Sequence, residues 1–541
     1  MRTLVGRWMD DLWDDLKATV RDAGWGNQLN TFPELSIAFW RWALWKLFEA
    51  DNAPRRGVVT YITNRKFLTG KPYAGLRKMM RQRFDRIEII DLRGDVRAGV
   101  RGDVARDQGV FNIMVGTCIT VAIADGSQAE GALAEVQYHD SWAGERFTRR
   151  SKLDWLQTRS AAGDAEDWLP VDRGVLDDFR PEPFQNGEWV SLLNAFAFRS
   201  SGCQTKRDRF TVGLDASQLT DRILVFLNSP AAIASDMFHS SRDRQWEDAR
   251  NAGFDPDALR AYSYRPLDCR QLYNHRAYGD FLRPDLQAAW GAENRGLYAM
   301  PSGTGIGPSV WCHGLLPDYH SFRGSYGGYA FPLYDRRNGE NAHNFDPALL
   351  AALSVAYGTA IAPETLFDAV LALLSATSYT VLFAEDLEDT FPHIPFSATL
   401  ELFSRAAAIG AEIRALETFA RAPTAERLPR GFCIWASRPV GALASQDNFA
   451  EGHVTLCADG SGVLEGIPEA VWTFSVSGYR VLPRWLQARE GLALDFAMTG
   501  QIRDIAGRIH ELLHWFGQAD LVLEATLAHT LIREALGLDQ D

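Results

Sequence analysis

Four stretches of this 541-residue chain hold side chains whose types and spacing could do chemistry. The first is HELLH, His510 to His514. Two imidazoles one helical turn apart can hold zinc while Glu511 acts as general base, and Glu534 downstream offers a third ligand. The same residues lie in IRDIAGRIHELLHWF, an amphipathic pattern that needs no metal, so a zinc metallopeptidase and a plain helix are rival readings. The second is GTGIG, Gly303 to Gly307, which no strand precedes and Pro308 follows. Without a helix N-terminus to face a phosphate, it reads as a turn. The third, RSSGCQTKRDRF, groups Arg199, Gln204, Thr205, Lys206, Arg207, Asp208 and Arg209. Arg and Lys grip phosphates or guanine edges and Gln pairs with adenine, so this is either a DNA-facing loop or a solvated one. The fourth, YSYRPLDCRQLY, alternates aromatics with Arg265 and Arg270, as nucleic-acid contacts or as an Arg–Asp network around Asp268. No P-loop and no GxSxG elbow occurs.

These residues must be positioned by a large folded body. With 46% hydrophobic and 23% charged residues the composition is that of a globular protein, and the length suits several domains. Six cysteines stand far apart without a CxxC pair, which points to reduced thiols in a cytoplasmic protein and to no metal ribbon. The N-terminus is acidic where a signal peptide would be apolar, and no long uncharged apolar run follows, so no membrane contact is expected. The net charge of −13 argues against a uniformly nucleic-acid-binding surface, yet Pro54 to Arg106 carries 14 Lys or Arg against five Asp or Glu. That local excess is a DNA-binding region or a solvated helix face.

The first 125 residues alternate helical and extended patterns. ELSIAFWRWALWKLFE spaces its apolar residues as a helix, GVVTYIT is a β-branched strand, and a basic helix follows from Tyr73 to Phe84. RIEIIDL and IMVGTCITVAIA read as two further strands. This order is half of a doubly wound α/β sheet, with its other strands expected upstream. From about Asp140 to Phe345 turns and aromatics dominate, as in a mixed α+β domain. Asp346 to Leu374 and Ser397 to Ala420 read as helices, and the tail mixes short strands around Val454 and Val471 with helices from Thr499.

The ordered pieces resemble one family. FWRWALWKLFE, then GVVTYITNRKFLTGKPYAGLRKMMRQRFDRIEIIDLRGDVR, then DQGVFNIMVGTCITVAI are similar to the part of a gamma-class adenine-N6 DNA methyltransferase that follows its NPPY motif. YSYRPLDCRQLYNHRAYGDFLRP, GGYAFPLYDRR, LFDAVLALLSATSYTVLFAEDLEDTFPHIPF and VWTFSVSGYRVLPRWLQAR resemble the C-terminal specificity region of Type ISP restriction-modification enzymes. The resemblance implies residues 1–155 as a partial methyltransferase domain, the C-terminal half of a Rossmann-like sheet. Residues 156–541 would be a large α+β target recognition domain with a helical spacer, in lobes 156–345 and 346–541. It implies double-stranded DNA as partner and S-adenosyl-L-methionine as cofactor of the complete enzyme, with no metal. Nuclease and ATPase functions would lie on an upstream region or another chain. NPPY and an FxGxG loop do not occur here, so the chain by itself is expected not to methylate DNA, and to act within a split or larger enzyme or as a DNA-binding remnant. By position in the family, Phe111 in GVF would pack against an extruded adenine, as a flat apolar face can. Asn64, Arg65 and Lys66, after the strand GVVTYIT, would form the substrate-pocket rim. Arg199, Gln204, Thr205, Lys206, Arg207, Asp208, Arg265 and Arg270 would contact DNA.

Overall fold

The computed structural model describes residues 4–22, 35–94, 107–111, 113, 115–129, 131–142, 144–162, 168–171, 177–181, 188–291, 293–322, 327–339, 342–384, 386–444 and 449–538. They form two compact units, one of residues 1–187 with 384–389 and one of residues 188–383 with 390–541.

The first unit is a mixed five-stranded sheet with helices. Its elements are α1 (Leu4–Asp22), α2 (Leu35–Leu44), β1 (Gly57–Asn64), α3 (Ala74–Arg83), β2 (Arg86–Asp91), β3 (Thr117–Ala124), β4 (Glu135–Asp140), α4 (Arg149–Ala162) and β5 (Leu169–Pro170). The sheet order is β1-β3-β2-β4-β5. β3 runs antiparallel to both its neighbours, while β2 and β4 are parallel. The strand expected to start at Ile113 starts at Thr117 instead, with the Arg65 amide donating to the Gly116 carbonyl at 3.0 Å at the end of its pairing with β1.

Alternation in each strand sets the burial. Val59 and Tyr61 of β1 face the same core as Ile87 and Ile89 of β2 and Cys118 and Ala122 of β3, together with Trp40, Leu76 and Met80 from the helices. On the opposite face Val58 and Ile62 are 63% and 55% exposed, whereas at β4 that face is covered by Trp155 of α4 stacked on His139.

The second unit combines small antiparallel sheets with a helical layer. β6 (Val190–Ser191) pairs with residues His393–Ile394. β7 (Ser200–Ser201), β8 (Val212–Gly213), β9 (Leu259–Arg265), β10 (Asp268–Tyr273), β11 (Gly296–Ala299), β12 (Val310–His313) and β13 (Tyr329–Pro332) form two sheets, β8-β10-β9 and β12-β11-β13-β7. α5 (Ala216–Asn228) and α6 (Ala231–Phe238) close an aromatic core of Phe210, Phe226, Phe238, Tyr273 and Tyr278.

The helix expected over Asp346 to Leu374 is two, α7 (Pro347–Ala356) and α8 (Pro363–Ser375). Gly358 at φ +67° ends the first, and Pro363, fitting only a first turn, begins the second. α8 packs on α9 (Leu400–Glu417) so closely that a Cβ at Gly410 would fall 1.7 Å from the Asp368 carbonyl oxygen. α10 (Phe496–Ala528) completes the layer. The strand expected at Val471 is a helical turn, Glu469–Thr473, opened by Pro468. No helix among the described residues is long and apolar enough to cross a membrane.

Candidate nucleic-acid interface

The loop from Gln204 to Asp208 is shaped by its own hydroxyl and carboxylate. Thr205 Oγ1 donates to Asp208 Oδ1 at 2.6 Å and accepts from the Arg207 amide at 3.0 Å. The resulting turn leaves Lys206 at φ +58°, a left-handed conformation that non-glycine residues seldom adopt. Arg207 points inward. Its Nη1 donates to Asp280 Oδ1 at 2.5 Å, its Nη2 to Ser241 Oγ at 2.8 Å, and the guanidinium lies 4.4 Å from the Phe238 ring centre. The side chains of Arg207 and Asp280 are 1% and 0% exposed, and Thr205 is fully buried. Thr205 and Arg207 are therefore not the DNA contacts that the sequence led us to expect. They form the frame that joins three segments, with the Thr205 hydroxyl and both terminal nitrogens of Arg207 donating to protein acceptors.

The other residues of the loop differ. Asp208, half-buried, accepts from Thr205 and from Tyr264 Oη at 3.1 Å. Gln204 Nε2 lies 3.1 Å from His320 Nε2. Lys206, with 44% of its side chain exposed, lies over the Phe281 ring and 3.9 Å from Asp280, while Arg199 and Arg209 are exposed. Of the two readings for the fourth stretch, the Arg–Asp network is the one that forms. Arg265 pairs with Asp318 at 2.7 Å, Arg270 with Asp268 at 2.7 Å, and Arg489 with the second oxygen of Asp268 at 3.0 Å. Both Arg265 and Arg270 also pack on the Tyr264 ring, at 3.9 and 4.0 Å from its centre. Their charge is matched within the protein by Asp318 and Asp268.

Beside the loop lies a cavity of about 590 Å³, bordered by Lys206, Arg209, Arg222, Asp236, His239 and His320. Arg222 comes from α5, inside a segment that reads as an ordinary amphipathic helix, so its type and spacing carried no signal. Its Nη1 donates to the carbonyls of Phe210 and Val212 at 3.2 and 2.9 Å, and burial lowers its pKa from the usual value. The described residues place no carboxylate in an ion pair with Arg222 or Arg209.

In the first unit the predicted rim residues stand at the C-terminal edge of β1. Asn64 Oδ1 accepts from the Lys66 amide at 3.0 Å, and the Lys66 side chain is exposed. Arg65 is not a free rim cation: it grips both oxygens of buried Asp91, with Nη2 at 2.7 Å and Nε at 2.9 and 3.1 Å. Tyr138 Oη donates to the same carboxylate at 2.8 Å, and Arg93 pairs with Asp140. Burial alone would raise the Asp91 pKa, but Arg65 and Arg93 outweigh it and hold the carboxyl well below its usual range.

Phe111 is 39% exposed, in the segment leading into β3. That segment is anchored by Lys152 of α4, a fully buried amine that donates to the carbonyls of Leu92 and Gln108 at 2.8 and 2.9 Å and pairs with Asp107. Gly94, at φ +81°, allows the close approach, since a Cβ there would fall 2.4 Å from Gly109 Cα. Sequence reasoning missed Lys152 because its partners lie more than 40 residues away.

The HELLH stretch lies within α10, and its glutamate is an anchor. Buried Glu511 accepts from Arg421 Nη2 at 2.9 Å and from the Thr424 amide at 2.7 Å, with Arg427 at 3.4 Å. A carboxylate so engaged cannot take a proton from a metal-bound water. His510 packs 5.5 Å from the Phe432 ring centre, His514 is exposed, and Glu534 sits in a separate 3₁₀ turn. No group of three or more metal-ligating side chains converges among the described residues. The zinc reading is corrected on this geometry. GTGIG is a turn: the Gly305 amide donates to Ser477 Oγ at 2.7 Å, and Gly305 and Gly307 admit close packing against residues 475–477.

Comparison with known proteins gives a consistent result. Residues 194–512 match the Type ISP C-terminal specificity domain. No curated protein matches. Among solved structures, the DrdV–DNA complex is 20% identical with a TM-score of 0.54, covering 89% of this chain and 51% of that one. A nuclease-deletion mutant of the Type ISP restriction-modification enzyme LlaGI, in complex with a DNA substrate mimic, is 17% identical with a TM-score of 0.53 over 91% of this chain and 40% of the other. The ATP-dependent Type ISP enzyme LlaBIII bound to DNA gives 17% identity and a TM-score of 0.58, over 97% and 36%. This chain thus spans about half or less of those chains, and at such identities the likeness is one of fold. The matched stretch covers more than half of the chain and contains the Gln204–Asp208 loop, the Asp268 network, α8, α9 and the first half of α10, and on that extent the chain belongs to the Type ISP C-terminal specificity domain family.

Proposed function

We propose that this chain is the DNA target-recognition part of a Type ISP restriction-modification enzyme, preceded by the closing half of an adenine-N6 methyltransferase sheet. The observation that carries the reading is the coincidence of the specificity-domain match, residues 194–512, with the unit in which Arg209 and Arg222 border a cavity without acidic partners among the described residues. Backbone phosphates supply most of the affinity of such a surface, and cations without acidic partners are the groups free to meet them. The helical layer α8–α10 is the spacer in this reading.

Two features support the methyltransferase assignment of the first unit. The C-terminal ends of β1, β2 and β4 meet at one edge, the position from which α/β sheets serve ligands, and partly exposed Phe111 stands in the segment that follows. Its ring is the flat apolar surface on which an unstacked adenine would rest. The chain's own residues do not fit S-adenosyl-L-methionine at that edge, because Arg65, Asp91, Arg93 and Asp140 fill it with mutual ion pairs. The donor and the groups that accept the adenine N6 hydrogens would come from another segment or chain.

The test is fluorescence anisotropy of labelled duplex DNA with the full chain across a salt series. Binding at about 10⁻⁵ M or tighter, weakening as salt rises, is expected; no binding at low salt would overturn the reading. Supplying a complementary segment with an AdoMet-binding loop should add methyl transfer, which Phe111→Ala abolishes while sparing DNA affinity. Unchanged turnover would end the stacking assignment.

A further inference from the structure

The cavity beside the Gln204–Asp208 loop is more than a gap in packing. Lys206 enters it from a strained loop residue, Arg209 from the short helix Asp208–Thr211, and Arg222 from α5. His239, also left-handed at φ +50°, enters from the C-terminal end of α6. Several arginines of this unit have an aspartate within hydrogen-bond reach, as at Arg207, Arg265, Arg270 and Arg489. Arg209 and Arg222 have no acidic partner among the described residues, while the Lys206 amine forms a loose ion pair with Asp280 at 3.9 Å. Of the two acids on the border, Asp208 is hydrogen-bonded to Thr205 and Tyr264, and Asp236 is exposed with no hydrogen-bond partner among the described residues. Lys206, Arg209 and Arg222 outnumber the bordering carboxylates of Asp208 and Asp236, which gives a net positive recess whose complement is a phosphate.

We propose that this cavity seats one backbone phosphate of DNA, gripped by Lys206, Arg209 and Arg222. The assignment rests on the DNA-binding reading above and adds the place and the group recognised. A phosphodiester fits better than a carboxylate ligand because three separate donor groups border the recess, whereas a carboxylate is best met by one guanidinium fork. Gln204 and His320, joined at 3.1 Å on the border of the same cavity, would then stand next to the nucleotide that carries the phosphate.

The experiment is the salt dependence of DNA affinity for the full chain, compared with Lys206→Ala/Arg209→Ala and with Arg222→Met. Lys206 and Arg209 are exposed, so their removal does not threaten folding, and circular dichroism confirms it for each variant. The double variant should bind on the order of tenfold more weakly and lose about 0.9 from the slope of log K against log salt, the share of one phosphate. Arg405→Ala, an exposed arginine on α9, controls for generic loss of charge. An equal loss of slope in that control, or an unchanged slope in the double variant while the wild type binds DNA, overturns the pocket and leaves the DNA-binding reading standing. Failure of the wild type to bind DNA overturns both. Inorganic phosphate and deoxyadenosine monophosphate, tested by thermal shift, separate the sources: tight binding of either, lost in the double variant without any change in the DNA slope, would make this a free-nucleotide pocket and refute the backbone assignment.

Discussion

Replacing Arg207 by alanine tests whether this arginine is a frame or a contact. In the structure its guanidinium holds Asp280 at 2.5 Å and Ser241 at 2.8 Å, with both charged side chains essentially without exposed surface. Removing it leaves a buried carboxylate whose main remaining partner is the Ser241 hydroxyl, at 2.9 and 3.2 Å from its two oxygens. Breaking a buried pair from one side costs about 3–5 kcal/mol, because the surviving charge has lost its compensation. For a unit of this size that lowers the melting temperature by roughly 6–10 °C, at about 2 °C per kcal/mol. Urea unfolding followed by tryptophan fluorescence gives the free energy directly. A cycle with Asp280→Ala and the double variant isolates the pair, and the expected coupling is about 2 kcal/mol or more. A variant that unfolds within about 0.5 kcal/mol of wild type, with no coupling to Asp280 but with weakened DNA binding, would refute this reasoning and restore Arg207 as a direct contact.

Two further outcomes follow from buried carboxylates. Glu511→Ala should destabilise the chain by about 2–3 kcal/mol, since charged hydrogen bonds from Arg421 and Thr424 are lost; a change in bound zinc without a change in stability would contradict the anchoring role. The native Glu511 carboxyl is lowered from its usual pKa by those donors against the effect of burial, so this stabilisation is present at neutral pH and fades as the pH falls through the native value. Glu417 behaves oppositely. It is 3% exposed, one oxygen accepts from the Cys312 amide at 2.6 Å, the other has no hydrogen-bond partner, and burial raises its pKa well above the usual range. The folded state therefore keeps a proton that the unfolded chain releases near pH 4.3, and stability falls as the pH rises from there to the native pKa. Glu417→Gln removes that slope of about 1.4 kcal/mol per pH unit; a difference between the variant and wild type that is constant from pH 5 to 7 would rule the account out.

Much of the fold was legible because local patterns report local structure. GVVTYIT and RIEIID are strands and AGLRKMMRQR is a helix, since alternation and helical spacing are properties of a few consecutive residues. The family was legible for a related reason: motifs such as YSYRPLDCRQLY and VWTFSVSGYRVLPRWLQAR are strings in chain order, and the match over residues 194–512 includes them. The break between α7 and α8 was legible in principle from Gly358 and Pro363, but the apolar run across them masked it.

What the sequence by itself determined, then, was the element pattern, the membership in a specificity-domain family and the loop rich in cations. Which of those cations face outward was decided by tertiary structure alone. Arg207, Arg265 and Arg65 find their acids at Asp280, Asp318 and Asp91, and each partner is brought near by folding over more than 25 residues. A charge meets solvent or a buried partner according to what the fold places within about 4 Å of it, and that distance has no counterpart in residue spacing. Arg222 shows the converse: an unremarked residue of an amphipathic helix becomes part of a cationic recess because α5 packs beside the Gln204–Asp208 loop.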